Sequence, residues 1–432
     1  MKRSGFIGRA RRLFASHPDF ARLAGGHGLA YVTIEMWYVV LPLLVLHLRG
    51  SALWMGVVAA SGYAPLLAGS AVAGWWVDGS SPRSVMLTAS LSRAGVFAAL
   101  ALMGLTQTLT LPLLAVGCLA LGFLGVAHAA GKRTMIPQLI PKGEIAFANS
   151  LDEGGFGAAE MIGTLAGGLL VAWRGPFWAM LCQAGLLVGN AAAVAGLPEA
   201  APRPSGSPAS PAPALREGFA FMFERKTRNR ALLWTTVLAV LIYGACTAFL
   251  SFQVFYYGSV LRVSPREVGW MVSAVSAVAL VFALTSAACV ENLGVGRTFL
   301  LWSAVVAAGL FVTGASASAV VVVVGAGLLL GGAKALRGVF TTLIHWYVPR
   351  ELMGRVGGVF STFAEGAAVF AALGAGVLAK AVGLPTTFQL AGWIAVGACA
   401  VCLLSPLRSL TAKTPESAQR GPEVLPVEIA DA

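Results

Sequence analysis

The feature that most constrains this chain is a series of about twelve apolar runs, each close to the ~20 residues that a helix needs to cross a bilayer. Inside hydrocarbon, only helices and closed barrels satisfy their backbone hydrogen bonds. The short alternating pattern of a membrane-barrel strand is absent from these runs. The sequence therefore predicts an all-α integral membrane protein.

Composition agrees with twelve transmembrane helices. Hydrophobic residues make up 57% of the 432 residues and charged residues 11%, whereas soluble proteins carry roughly a quarter charged residues. The 52 glycines suit the close approach of membrane helices. The predicted spans are residues 21–47, 53–77, 84–105, 111–137, 149–172, 176–197, 231–257, 268–290, 296–315, 319–345, 356–382 and 386–404.

A Pro, Ala and Ser-rich stretch at 198–213 divides these spans six and six. Residues 215–228 mix aromatic and basic side chains, a pattern typical of an amphipathic helix on the inner leaflet. The predicted organisation is a six-helix bundle at 1–197, a cytoplasmic linker at 198–230, a second bundle at 231–405 and a disordered cytoplasmic tail at 406–432.

The net charge of +12 reflects membrane topology rather than nucleic-acid binding. Of the 30 Lys and Arg residues, 22 fall on the side of the N terminus and five on the opposite side. Because basic residues collect in cytoplasmic loops, we expect both termini to face the cytoplasm.

The two halves repeat one another. Residues 141–144 (PKGE) open the fifth span and 349–351 (PRE) open the eleventh, while 163–170 (GTLAGGLL) returns in similar form about 208 residues later. Duplicated halves predict a central site near mid-membrane, with one half rocking against the other.

These patterns resemble the major facilitator superfamily. The loop at 74–78 (GWWVD) with Arg83 is similar to the superfamily's Gly, three residues, Asp and basic motif, although Gly79 stands where Arg is usual. Residues 163–168 are similar to an exporter motif whose Pro is here Thr164.

Several short sequence segments resemble those of the bacterial branch that contains enterobactin and macrolide exporters: Leu41-Pro42, Ser92-Arg93-Ala94, residues 133–137, 148–150 and 351–355. The resemblance implies alternating access in two pseudo-symmetric bundles, with Asp78, Arg83, Glu291 and Arg297 forming cytoplasmic latches that stabilise one conformation. It also implies a multi-pass protein of the bacterial inner membrane.

Span one carries an acid at bilayer depth, where a charge costs roughly 2.5–3.5 kcal/mol. Glu35 lies between Tyr31 and Tyr38 on one helical face. We predict that Glu35 takes up a proton and that the two tyrosines contact substrate. The alternative is a permanent Glu35–Arg93 ion pair that only fixes packing.

Two further acids, Glu160 and Glu365, lie near mid-depth of spans five and eleven. Each is a candidate for proton coupling, and the alternative for each is a structural hydrogen bond. Span ten presents Lys334, Arg337 and Thr341 on one face. These cations bind either Glu160 or Glu365, or an acidic group of the substrate.

Span seven adds a polar face suited to an amphipathic ligand: Tyr243, Thr247 and Ser251. The sequence has neither a phosphate-binding loop nor a zinc-ligand spacing, so we expect no cofactor, no metal and no enzymatic activity. An ion or substrate gradient must then supply the energy, and one charge crossing 100 mV supplies about 2.3 kcal/mol.

The sequence thus predicts a monomeric proton antiporter that exports a small amphipathic molecule, a siderophore or a macrolide-like drug, across a lipid bilayer. Two alternatives stay open. One is an importer or lysophospholipid flippase of the same fold, and the other is a membrane scaffold or sensor that transports nothing.

Overall fold

The structure is a computed structural model of the chain and describes residues 6–67, 80–141, 143–199, 219–223, 227–348, 352–405 and 407. All the regular secondary structure in those ranges is helical. Eleven of the helices are long and apolar enough to cross a membrane. The second predicted span is represented by a shorter apolar helix at Ala52–Leu67, where the described range ends.

The first half contains seven helices in its described residues, and six of them match the first six predicted spans within a few residues wherever both ends are described. They are α1 (Phe6–Ser16), α2 (Pro18–His47), α3 (Ala52–Tyr63), α4 (Pro82–Leu105), α5 (Leu111–Leu139), α6 (Ile145–Arg174) and α7 (Pro176–Ala195).

The second half follows the same plan, except that the predicted span 231–257 is interrupted near residue 251 and forms two helices. The helices are α8 (Thr227–Leu250), α9 (Gln253–Ser259), α10 (Pro265–Leu293), α11 (Val295–Ala315), α12 (Ala319–Tyr347), α13 (Met353–Val382) and α14 (Leu384–Leu404).

Two equivalent turns reflect the internal repeat. Gly175 joins α6 to α7 at φ 89°, and Gly383 joins α13 to α14 at φ 83°. Both backbones lie in the left-handed region, which glycine adopts without the steric cost of a Cβ atom. The same sharp reversal therefore occurs at corresponding points of the two halves, at the offset of about 208 residues seen in the sequence.

The two bundles meet along two glycine seams. We call the face that carries the start of α2 and the end of α14 the near face, and the opposite one the far face. In the first seam α3 crosses α13, and a Cβ atom on Gly56 would lie 2.7 Å from the Ala372 carbonyl oxygen. In the second seam α6 crosses α10, and a Cβ on Gly168 would lie 2.6 Å from the Gly269 Cα.

Both seams lie toward the far face, because Gly56 follows closely on the start of α3 and Gly168 precedes the end of α6. Small residues allow the helix backbones to touch there. The halves are therefore packed together from the far face to about mid-depth. The smaller of the two cavities described below lies on the near side of this contact.

The described part of the linker, residues 219–223, packs against the helices on one side and is exposed on the other. Met222 is buried, and its sulfur accepts a hydrogen bond of 3.6 Å from the Thr236 hydroxyl. The Phe219 ring contacts Phe363 of α13, with centroids 5.5 Å apart, while Phe223 is exposed. The predicted tail at 406–432 lies outside the described residues except for Leu407, which is buried.

Widening a seam tests its role. We expect Gly56→Val to push α3 away from α13 and favour a conformation that is open at the far face, because the new side chain would overlap the Ala372 carbonyl. Spin labels on Thr110→Cys and Ser318→Cys, in exposed far-face loops of the two halves, report the separation by pulsed electron resonance in a background without the native cysteines.

Gly374→Val is the matched control, because a Cβ at Gly374 on α13 has nothing within 4 Å. The distance distribution should lengthen for Gly56→Val and stay unchanged for Gly374→Val. Equal distributions in both variants would show that the seam does not hold the far face closed.

Candidate functional site

The larger of two adjoining cavities has a volume of about 780 Å³ and lies mainly among α2, α3, α4 and α5. Its wall is mostly apolar and includes four aromatic side chains, of which Trp37 meets Phe97 edge to face with ring centroids 5.1 Å apart. Ser251 and Thr362 extend the wall from the second half. We call this space the apolar cavity, and its size is in the range of pockets that hold drug-sized ligands.

The smaller cavity, of about 420 Å³, lies closer to the near face and is lined by α2, α4, α5, α6 and by Arg337 of α12. Its wall includes His27, Lys132, Asn149 and Asp152. We call it the polar cavity. The two cavities adjoin, since Arg93 and Arg133, among other residues, line both.

An ion pair between a buried lysine and a partly buried aspartate anchors the polar cavity. The Lys132 ammonium lies 2.7 Å from the Asp152 carboxylate and 2.9 Å from the Tyr31 hydroxyl, and that hydroxyl donates to Asp152 over 3.1 Å. Three helices, α2, α5 and α6, are thereby joined through charge-assisted hydrogen bonds. Tyr31, predicted as a substrate contact, is a member of this network.

Sequence reasoning missed Lys132 and Asp152 as members of a site. Lys132 is one of the 22 basic residues counted on the side of the N terminus, although the predicted fourth span ends beyond it. Asp152 lay inside the predicted fifth span without being considered. A list of every charge within the predicted spans would have found both residues, because each charge at that depth needs a partner.

A second polar chain crosses the first bundle behind this network. The His27 and His128 rings stack with centroids 5.3 Å apart and planes 5° from parallel. The Asn190 amide lies 3.2 Å from His128 Nε2 and donates to the Ser90 hydroxyl over 2.8 Å. Residues of α2, α4, α5 and α7 are thus tied together.

The predicted acids of spans one and five meet at the interface of the two halves. Glu160 of α6 accepts a 2.5 Å hydrogen bond from Lys334 of α12, so this ion pair joins one bundle to the other. Glu35 of α2 packs against Gly163 and experiences the charges of both Glu160 and Lys334. Lys334 is therefore paired with Glu160, and Glu35 lies close enough to be influenced by both charges.

The alternative Glu35–Arg93 ion pair does not form within the described part of the chain. The charges that act on Glu35 are those of α6 and α12, whereas Arg93 of α4 faces the two cavities.

Other predicted contacts surround the cavities. Tyr38 is 49% exposed and lines the apolar cavity, as does Ser251, while Arg337 is exposed and lines the polar cavity. Tyr243 stacks on Phe340 at 6.1 Å between ring centroids, and Thr247 is buried on the same helix. The side chains of two further candidates, Thr341 and Glu365, lie outside the described set.

Of the four latch residues, Arg83 and Arg297 have described side chains. Arg83 donates to the Ala195 carbonyl over 2.5 Å and lies 3.6 Å from the Glu199 carboxylate, so it holds the end of α7. Arg297 is exposed in the first turn of α11. Asp78 lies outside the described residues, as does the side chain of Glu291.

Comparison with known proteins agrees with this architecture. The family profile of the Major Facilitator Superfamily matches residues 23–264, more than half of the chain. The chain belongs to the major facilitator superfamily. It is therefore a membrane transporter rather than an enzyme, and the predicted fold of two helical bundles is confirmed.

Curated relatives include two proteins named "Multidrug efflux pump Tap". The one from Mycolicibacterium fortuitum is 28% identical over 382 residues, which cover 85% of this chain and 90% of the relative. The one from Mycobacterium tuberculosis (strain ATCC 25618 / H37Rv) is 28% identical over 384 residues, covering 84% and 86%.

Solved structures share the fold at low identity. The nucleoside transporter NupG superposes with a TM-score of 0.72 at 14% identity, over 89% of this chain and 98% of NupG. A bacterial homologue of the iron transporter ferroportin in its inward-facing state gives 0.68 at 16% identity, over 90% and 98%.

The buried pair of the polar cavity gives a stability prediction. Lys132→Met leaves the Asp152 carboxylate without its cation, and Asp152→Asn leaves the ammonium without its anion. Removing one partner of a fully buried ion pair costs about 3–5 kcal/mol, and the partial exposure of Asp152 reduces that cost. We expect each variant to lower the melting temperature in detergent by several degrees, and the double variant to lose less than the sum of the two.

Asp19→Asn is the control, because the Asp19–Arg22 pair is half-exposed and such pairs contribute about 0–1 kcal/mol. Strictly additive losses in the Lys132 and Asp152 variants would show that the two side chains do not stabilise one another.

Proposed function

We propose that this transporter exports small amphipathic molecules across the bacterial inner membrane in exchange for protons. The single observation that carries the proposal is the Glu160–Lys334 ion pair, which joins the two halves beside a second acid, Glu35. Glu160 loses its negative charge when it binds a proton. Because its ion pair with Lys334 joins halves that move against each other, proton binding is coupled to their movement. The relatives named as multidrug efflux pumps support the outward direction.

We propose that the near face is cytoplasmic, so that both termini lie inside the cell. The excess of basic residues in the loops and termini of that side supports this orientation. The glycine seams then close the outer side, and the conformation described above gives substrate access from the cytoplasm.

In the proposed cycle, substrate enters the apolar cavity from the cytoplasm while Glu160 holds Lys334. Opening to the outside exposes the acids to a more acidic compartment. Protonation of Glu160 or Glu35 from that side removes a negative charge beside Lys334 and displaces the substrate outward, after which the protonated transporter returns to the conformation open to the cytoplasm. Proton release to the cytoplasm restores the pair. Glu365 stays a third candidate for this step.

The apolar cavity supports an amphipathic substrate. Trp37, Tyr63 and Phe97 offer apolar and aromatic surface, while Arg93 and Ser251 add polar groups to the same wall. Ligand sites commonly combine a mostly apolar lining with a few polar groups that fix orientation. A siderophore or a macrolide-like drug is the proposed substrate.

Glu160 is tested by Glu160→Gln in proteoliposomes loaded with a labelled catecholate siderophore or a labelled macrolide. Because glutamine cannot bind the proton, we expect efflux driven by a pH gradient to fall at least tenfold. Exchange of labelled for unlabelled substrate without a gradient should persist. Asp19→Asn, which alters an exposed acid of the near face, should transport like the wild type.

The double variant Glu160→Gln, Lys334→Met guards against a purely structural loss, because it also removes the lysine left without its carboxylate. If Glu160→Gln keeps the full response to the pH gradient, Glu160 has no part in coupling. If neither probe moves in the wild type under any gradient, the proposed efflux of these molecules is wrong.

Glu35 is tested separately with Glu35→Gln. If both acids share the coupling proton, we expect this variant to shift the pH at which efflux is half-maximal and to leave the Glu160–Lys334 pair in place. A pH profile that coincides with that of the wild type would remove Glu35 from the mechanism.

A further inference from the structure

The charged residues around the two cavities are predominantly cationic. The polar cavity is lined by four cationic side chains and one carboxylate among its described residues: Arg93, Lys132, Arg133, Arg337 and Asp152. The charged side chains in the wall of the apolar cavity, among the described residues, are Arg93 and Arg133. The space between the helices therefore attracts anions.

Arg93 differs from the other cations in being buried without a partner. Its side chain is 5% exposed, and its Nε has no hydrogen-bond partner. Within the described part of the chain, no carboxylate lies within 4 Å of the guanidinium. A buried cation without a counter-ion is unfavourable, so such a group is expected to meet an anion in the functional cycle.

The carboxylates described nearby are engaged elsewhere. Asp152 is bound by Lys132 and Tyr31, and Glu160 is bound by Lys334. The charges that act on Glu35 are those of Glu160 and Lys334. His27 and His128 lie within the electrostatic influence of Arg93, and neither supplies a negative charge. None of these side chains therefore supplies the anion that would pair with Arg93.

The position of Arg93 also fixes where the rest of a ligand would lie. Phe97 follows one helical turn later on α4 and lines the apolar cavity, where its ring meets Trp37. A molecule whose anionic group binds Arg93 therefore places its apolar body against these two rings. The site combines a fixed cation with an aromatic wall.

We propose that Arg93 binds an anionic group of the transported molecule, so that the substrate class is an amphipathic organic anion with a carboxylate or phosphate next to an aromatic or apolar body. The planar guanidinium donates two parallel hydrogen bonds to such a group. This inference rests on the proposed function and narrows it, favouring an anionic siderophore-like molecule over a cationic macrolide.

The experiment uses two probes of the same shape, 2-naphthoate and its neutral amide, 2-naphthamide. Their binding to the full chain in phosphatidylcholine nanodiscs is measured by calorimetry at pH 7. We expect naphthoate to bind at least tenfold more tightly than naphthamide, because a hydrogen bond to a charged group contributes more than one to a neutral group.

Arg93→Gln should weaken naphthoate at least tenfold and change naphthamide less than twofold. Arg93→Lys keeps the charge but loses the paired donors, so it should weaken naphthoate by a smaller factor, and it serves if the glutamine variant does not fold. Arg174→Gln, at the end of α6 far from both cavities, is the control and should bind both probes like the wild type.

Equal affinity for the two probes in the wild type, or an equal loss of both in the Arg93 variants, would overturn the anion site. These outcomes are distinguishable from a failure of the proposed function. Proton-driven efflux of a macrolide with no preference for naphthoate refutes only the anion site, whereas naphthoate binding that depends on Arg93 without any proton-driven flux refutes only the coupling.

Discussion

An ionised side chain at bilayer depth needs a partner inside the protein, and the arrangement of this transporter follows from that constraint. The hydrocarbon core of the bilayer contains no water that could solvate the charge. Asp152 accordingly binds Lys132, and Glu160 binds Lys334. The first pair joins helices of one bundle, whereas the second joins the two bundles. The same physical requirement therefore stabilises the first bundle at Lys132–Asp152 and connects the two bundles at Glu160–Lys334.

The connection between the halves has two components of different character. The glycine seams at Gly56 and Gly168 bring backbones into contact through shape alone. The Glu160–Lys334 pair adds an electrostatic bond at mid-depth. Packing of small residues does not depend on pH, whereas an ion pair requires an ionised acid. An interface built from both can be firmly packed and still respond to protons.

Much of the fold could be predicted from the sequence, because a membrane helix is specified by a local property. The apolar runs gave helix ends within a few residues, as at 84–105 against Pro82–Leu105. The interruption between α8 and α9 was missed, since the run 231–257 contains no Pro, and isolated polar residues such as Ser251 and Gln253 do not by themselves end a membrane helix. The candidate site was harder, because the depth of a residue does not say which neighbour it faces.

The sequence by itself determined the helical membrane fold, its duplication and the identity of the charges at depth, since hydrophobic length, repeated motifs and residue type are properties of the chain alone. Only the tertiary structure decided the pairing. It placed Lys334 on Glu160, brought Glu35 beside them and left Arg93 facing the cavities. Residues more than a hundred positions apart become partners because of how the helices pack. A local sequence pattern does not show which distant helix a residue will contact.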